Sequence, residues 1–231
     1  MTLSNPQSAP FWLVLAAVVA SVPVGVLLSR RLSTGDYRLD DEMERPVPTL
    51  GWLVVVAVPL LWGVLAWRVG GLSRGALLPA YLLLAAVGVA LFWIDVDVHR
   101  LPEALTLPCI PAVALMLAVA SATTGDWGAL ARAVAGGVAA WLVYLVLALA
   151  VPGGLGLGDA TLGALVSLPL GYVAWGAPVV AFLAAYLVSG VAALAGLGLG
   201  RLHLKSDIAF GPYILLGALV AVFVRFQMLG V

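Results

Sequence analysis

The stretch ALLPAYLLLAAVGVALFWIDVDVHR, residues 76–100, decides the fold: no charge occurs from Ala76 to Ile94, and then Asp95 and Asp97 arrive together. An uncharged apolar run of this length is what a membrane crossing requires, about 20 residues at 1.5 Å each for a hydrocarbon core of roughly 30 Å. Outward from it, comparable runs recur near 10–29, 49–67, 105–122, 130–151, 160–175, 177–199 and 212–230. With 76–97 these predict about eight transmembrane helices. Only the Gly171–Gly176 stretch separates the sixth run from the seventh, so a count of seven is the alternative. A membrane-spanning barrel would show short alternating segments instead of continuous runs. The expected fold is therefore all-α, a polytopic transmembrane helix bundle forming a single integral membrane domain over 1–231.

Composition points the same way. Of 231 residues, 64% are hydrophobic and only 10% charged, and the mean hydropathy is +1.15. Such a chain excludes both a water-soluble domain and a disordered one. Lys plus Arg and Asp plus Glu each number 11, so no basic field exists to hold nucleic acid. Cys109 is the single cysteine and His99 and His203 are the two histidines, which precludes a disulfide framework or a Cys/His zinc cluster. Residues 1–9 lack Lys and Arg, so the first run reads as a span and not as a removable signal.

Cations set the expected orientation. With the amino terminus outside, the inner loops hold Arg30, Arg31, Arg38, Arg45, Arg100, Arg201 and Lys205, and the outer side holds Arg68, Arg74, Arg132 and Arg225. This excess places the 30–48, 98–104, 152–159 and 200–211 connections together in the cytoplasm. The first of these, RRLSTGDYRLDDEMERPVP, mixes four Arg with five acids and reads as a solvated loop.

Acids beside an apolar span are costly, on the order of 2.5–3.5 kcal/mol at a helix centre, and each demands an account. Asp126 lies in a polar turn, TTGDW, and Asp207 in a loop, so solvation suffices for both. Asp95 and Asp97 close the third span before Pro102; at 100° per residue they point to different sides. The connection PGGLGLGD, residues 152–159, has glycine at 153, 154, 156 and 158 and ends in Asp159. Its plainest reading is a hairpin with Asp159 as helix N-cap; it has neither the spacing of a dinucleotide fingerprint nor that of a phosphate loop. Two spans separate Asp95 from Asp159, so both emerge on one membrane face. Two neighbouring carboxyls can share a proton and activate water, which is the chemistry of an aspartic protease and needs no metal.

At these residues the chain resembles the type IV prepilin peptidases, polytopic membrane aspartic proteases. WIDVDVHRLPEALTLP, residues 93–108, resembles their first signature, an Asp followed eight residues on by the acid of a Leu-Pro-acid-x-Leu-Thr-x-Pro stretch. GLGLGDATLGALVSLPLG, from Gly154, is similar to their GxGD signature, and IAFGPYILLGA, from Ile208, to the Phe-Gly-Pro segment opening their last span. The likeness covers a core of residues 75–225. It implies that Asp95 and Asp159 are the catalytic pair and that Gly156 and Gly158 shape a substrate loop. Asp97, Pro102, Glu103, Phe210, Gly211 and Pro212 match motif positions without an assigned role. The implied reaction is cleavage, at the cytoplasmic face of the bacterial inner membrane, of the leader from a pilin or pseudopilin precursor whose apolar helix follows the leader.

Three departures stand out. Glu103 replaces the usual Asp, Thr161 replaces the usual Lys, and the large cytoplasmic insertion with two CxxC pairs is missing. That insertion is the region most associated with the family's second activity, methylation of the new amino terminus by S-adenosylmethionine, so its absence counts against that activity; proteolysis implies no cofactor. Other classes fit less well. A proton- or cation-coupled transporter would place acids in mid-bilayer. The presenilin and signal peptide peptidase proteases also use GxGD, but pair it with Tyr-Asp and Pro-Ala-Leu, where this chain has Ile94-Asp95 and Phe210-Gly211-Pro212. No metal ligand set is assigned.

Overall fold

The computed structural model describes residues 9–43, 47–48, 51–71, 75–150, 155–200 and 209–224. Arg45, Arg74, Gly153, Gly154, Arg201, His203, Lys205, Asp207 and Arg225 lie outside the described residues. Among those described there are eight α-helices and no strand: α1 Phe11–Ser33, α2 Gly51–Val69, α3 Leu78–Val98, α4 Glu103–Thr124, α5 Trp127–Ala150, α6 Leu157–Val173, α7 Gly176–Gly198 and α8 Gly211–Phe223. The all-helical bundle expected from the apolar runs is the fold observed.

Length divides the helices. Six of them, α1 to α5 and α7, are long and apolar enough to cross a bilayer, fewer than the eight runs suggested. The two short ones are α6 with 17 residues and α8 with 13, roughly 25 Å and 20 Å at 1.5 Å per residue. The Gly171–Gly176 boundary is a turn: Ala174 is extended (φ −164°, ψ 151°) and α7 begins two residues later. Both short helices nevertheless reach from one end of the bundle to the other. Near the start of α5, Arg132 donates to the carbonyls of Gly171 (2.8 Å) and Tyr172 at the end of α6, the favourable place for a cation on a helix. At the same end Arg68 of α2 donates to the carbonyl of Val224, just past α8 (3.3 Å).

Packing follows membrane rules more than soluble ones. Gly136 and Gly137 of α5 lie against Gly171 and Leu168 of α6, and small residues let backbones approach where lipid supplies no hydrophobic drive. Buried hydroxyls find partners across helices: Tyr81 donates to the carbonyl of Pro169 (3.1 Å), and Ser121 and Tyr172 share a bond of 3.0 Å. Outward faces are apolar, with Leu187, Val191 and Leu194 of α7 among the most exposed side chains; a surface of that kind belongs in lipid. Trp12, Trp52, Trp67 and Trp127 are all exposed near helix ends, as interfacial anchors are. Asp126 caps α5, its Oδ1 accepting the N–H of Ala129 at 2.8 Å.

The segment after α1 is solvated only in part: Asp36 and Asp40 are exposed, as its mixed charge suggested, while Arg38 is not. It folds back over the end of α3, and Arg38 is only 6% exposed. Arg38 grips Asp97 with two bonds, Nε to Oδ2 (2.8 Å) and Nη2 to Oδ1 (2.7 Å), while the Tyr37 hydroxyl donates to Oδ2 at 2.6 Å. Arg100 returns the grip from α3's side, donating to Glu42 (2.8 Å) and to the carbonyl of Tyr37 (3.0 Å). A charge run alternating in sign can solvate or pair, and here the pairing partners sit on another element, so local composition misled. Burial and the Asp97 carboxylate hold the Tyr37 hydroxyl above its ordinary range; the hydrogen bond from Arg100, with that from the Leu39 N–H, holds Glu42 below the ordinary carboxylate range.

Because both members of the Arg38–Asp97 pair are buried, removing one leaves the other uncompensated. Asp97→Leu or Arg38→Met alone should lower the unfolding temperature, whereas the double variant Arg38→Met with Asp97→Leu should recover most of the loss. Thermal unfolding in detergent across the full cycle measures the coupling. Glu42 gives a pH dependence of definite sign. A carboxyl depressed in the fold stabilises the clasp above its unfolded value, about 4.3, and loses that contribution as pH falls through the lower folded value. Amide protection at Arg38 and Glu42, corrected for intrinsic exchange, should therefore drop below about pH 4, and Glu42→Gln should remove the step.

Candidate active site

Asp95 occupies the last turns of α3 and is 3% exposed. The helix stops there because His99 takes a left-handed conformation (φ 53°), its N–H closing on the carbonyl of Asp95 at 2.9 Å. Asp159 lies in the first turn of α6 and is 8% exposed. It is not the N-cap. That position belongs to Gly156 (φ −88°, ψ 159°), and Asp159, the third helical residue, reaches back so that its Oδ2 accepts the Gly156 N–H at 2.9 Å. The helix begins earlier than the sequence suggested because Gly158 fits against the α3–α4 connection: a Cβ there would stand 2.8 Å from Leu101 Cβ and 3.1 Å from its carbonyl oxygen.

Sequence reasoning left Gly211 without a role, and the structure supplies one. Its N–H, at the start of α8, donates to Asp95 Oδ2 at 2.9 Å. Pro212 follows within the first turn, where a missing N–H costs nothing, and Phe210 occupies the N-cap. A Cβ on Gly211 would stand 2.8 Å from Asp95 Oδ2, so the bond requires glycine. Three separate motif stretches thus converge. Leu101, Tyr144, Ala160, Leu162 and Ile214 belong to one packed cluster with Phe210 against it, and Gly211, which holds Asp95, and Gly158, next to Asp159, both lie against Leu101. Each acid has one oxygen anchored by a backbone N–H, and no partner for Oδ1 occurs among the described residues.

The remaining motif positions are peripheral. Asp97 faces away from Asp95 into the Arg38 clasp, as their angular separation required. Pro102 is the N-cap of α4 and Glu103 opens that helix, exposed, where a negative charge suits the dipole. Thr161 Oγ1 donates to the carbonyl of Gly158 at 2.8 Å. Among the described residues no three His, Cys, Asp or Glu side chains come together as a metal set.

An aromatic wall escaped the sequence reading. Phe182 and Tyr186, one turn apart on α7, pack with ring centroids 4.6 Å apart, Tyr186 lies 5.0 Å from Phe210, and Phe182 lies 5.4 Å from Tyr144. The buried Tyr186 hydroxyl has no hydrogen-bond partner among the described residues. The i, i+4 aromatic spacing at 182 and 186 was the available signal, and an apolar background concealed it.

The glycines separate by geometry. Gly158→Ala and Gly211→Ala both force a contact near 2.8 Å and should lower the unfolding temperature, an overpacking cost of about 1–3 kcal/mol. Gly156→Ala, whose Cβ would come no closer than 3.7 Å to Asp159, should melt with the wild type. Comparison of the chain with protein-family models, with curated proteins and with solved structures finds no match.

Proposed function

We propose that this protein is a membrane-embedded aspartic endopeptidase of the prepilin peptidase type, with Asp95 and Asp159 as its catalytic pair. The observation that carries the reading is the meeting of two acids from distant helices, buried in an apolar setting, each with one oxygen fixed by a backbone amide and the other open. Two close carboxyls in a low dielectric cannot both ionise easily, so they share a proton. The ionised acid takes a proton from water as it attacks the scissile carbonyl, and the protonated one gives its proton to the departing amine. Backbone anchoring leaves both acids oriented without neutralising either, and two of the described cations at this end, Arg38 and Arg100, are held by Asp97 and Glu42.

Gly156 is extended and has only van der Waals neighbours, so no side chain there bars a substrate from approaching the backbone beside Asp159. Gly158 has the different task of seating Leu101. The substrate class is a pilin or pseudopilin precursor, cut between its leader and its apolar helix; the proposal covers proteolysis alone. All eight helices act as crossings in this reading, with α6 and α8 short but tied at both ends. Among the described residues the acid end also carries Arg30, Arg31, Arg38 and Arg100 against Arg68 and Arg132 at the other, which favours a cytoplasmic acid end and a bacterial inner membrane.

Asp95→Asn and Asp159→Asn are each expected to reduce leader cleavage of a pilin-like precursor in proteoliposomes by at least about a thousandfold, with normal membrane accumulation. Near wild-type cleavage by either variant would remove the dyad. Cleavage should also persist in the presence of a chelator.

A further inference from the structure

Two neighbouring residues of the α3–α4 connection face opposite ways. Arg100 is partly exposed and holds the segment after α1: its Nε lies 3.2 Å and its Nη2 2.8 Å from the Glu42 carboxylate, and Nη2 also donates to the carbonyl of Tyr37 at 3.0 Å. Leu101 turns inward and is buried. A Cβ on Gly158 would stand 2.8 Å from the Leu101 Cβ, and a Cβ on Gly211 would stand 3.3 Å from the Leu101 Cδ2. The residue before Asp159 and the residue whose N–H holds Asp95 thus rest on one side chain, Gly158 at its base and Gly211 at its tip.

The connection leaves Leu101 little freedom of its own. It opens on His99 in the left-handed region (φ 53°), which a residue with a side chain adopts only where its surroundings impose it. It closes on Pro102, the N-cap of α4, and proline confines the residue before it to extended backbone. Between these two points lie Arg100 and Leu101 alone, so a displacement of one carries the other. Arg100 is in turn tied to a segment with its own hold on α3, through the bonds of Tyr37 and Arg38 to Asp97. Glu42 is fixed from its own side as well, its Oε2 accepting the Leu39 N–H at 2.8 Å.

We propose that Arg100 and Leu101 are positioning residues: the segment after α1 acts as a strap that holds Arg100, and Leu101 beneath it sets how Asp95 and Asp159 stand toward each other. That the two acids react together rests on the peptidase reading; their common seat on Leu101 does not. Gly158 and Gly211 have no side chain to cushion the contact, so both follow Leu101. A strap that lets go of Arg100 frees both from one stop, and the acids lose their register although neither has been altered.

The Gly156 and Gly211 amides report on this seat. They donate to Asp159 and Asp95, and both stand at helix starts, where no intrahelical acceptor exists. Their hydrogen exchange, read by NMR on isotope-labelled glycine in detergent, follows the opening of the two acid anchors. Arg100→Met should speed exchange at both glycines by about tenfold. Leu101→Ala should do at least as much, and Leu101→Met should stay near the wild type. Arg132→Met, which frees the Gly171 and Tyr172 carbonyls at the other end of α6, should leave both glycines unchanged. Faster exchange confined to residues 37–42, or a rise at the two glycines no larger than in Arg132→Met, would overturn the proposal. Turnover supplies a second readout. On a pilin-like precursor in proteoliposomes, Arg100→Met should lower kcat about tenfold at unchanged KM. A raised KM at constant kcat would mean that the strap meets the substrate instead, and would overturn the positioning. If the wild type cleaves no such precursor the peptidase reading falls, and glycine exchange still decides whether Leu101 seats the two acids.

Discussion

The hydrogen bond from the Gly211 amide to Asp95 joins residues 116 apart in sequence, and the motif end of the bundle is organised around it. It fixes one oxygen of a carboxyl that would otherwise be a costly orphan in an apolar interior. It also seats the start of α8 against the end of α3, since no side chain can come between them. Helix α8 is too short for its own length to define its depth. Its position comes from what holds each end: Asp95 at one, Arg68 at the other. Asp159 follows the same rule with a local partner, Gly156. Each acid is thus held by an amide dipole and not by a cation, which orients a carboxyl without cancelling its charge.

Among the described residues no Lys or Arg side chain pairs with Asp95 or Asp159, and this is the second constraint. Positive side chains are present at that end, and in a low dielectric any of them beside Asp95 or Asp159 would pin it in the ionised form. Asp97 and Glu42 prevent this by taking Arg38 and Arg100. The clasp therefore does electrostatic work as well as mechanical work: it closes the segment after α1 over the end of α3 and keeps Arg38 and Arg100 occupied. That Asp97 sits only two residues from Asp95 yet belongs to a different network follows from helical geometry, which turns adjacent acids to different sides.

Parity explains how much of the site could be read from the chain alone. That Asp95 and Asp159 emerge on one face requires only an even number of crossings between them, and α4 and α5 are both long, apolar and unambiguous. The inference was insensitive to every boundary error of a few residues. By contrast, the shortness of α8 was not legible, since its apolar run continues past Phe223 and hydropathy does not mark where a helix stops. The Arg38–Asp97 pair was illegible for a different reason: it joins elements 59 residues apart, and a run of mixed charge has no periodicity from which a partner can be read. The aromatic wall of Tyr144, Phe182, Tyr186 and Phe210 draws on two helices and a connection, so no single window contained it.

Helical periodicity also ties the end that carries Asp95 and Asp159 to the rest of the bundle. A residue placed at the end of a helix projects the direction of its side chain back along that helix every three to four residues, so the composition of the stripe beneath an acid decides what can approach it from within the membrane. Beneath Asp95 that stripe is Phe92, Gly88 and Ala85, and beneath Asp159 it is Val166 and Leu170, apolar throughout and small on the α3 side. A polar stripe there would have drawn water along the helices and hydrated the acids from below. An apolar one confines polar access to the membrane edge, where Gly156 and Phe210 lie, and leaves the bilayer side accessible to lipid-soluble groups alone.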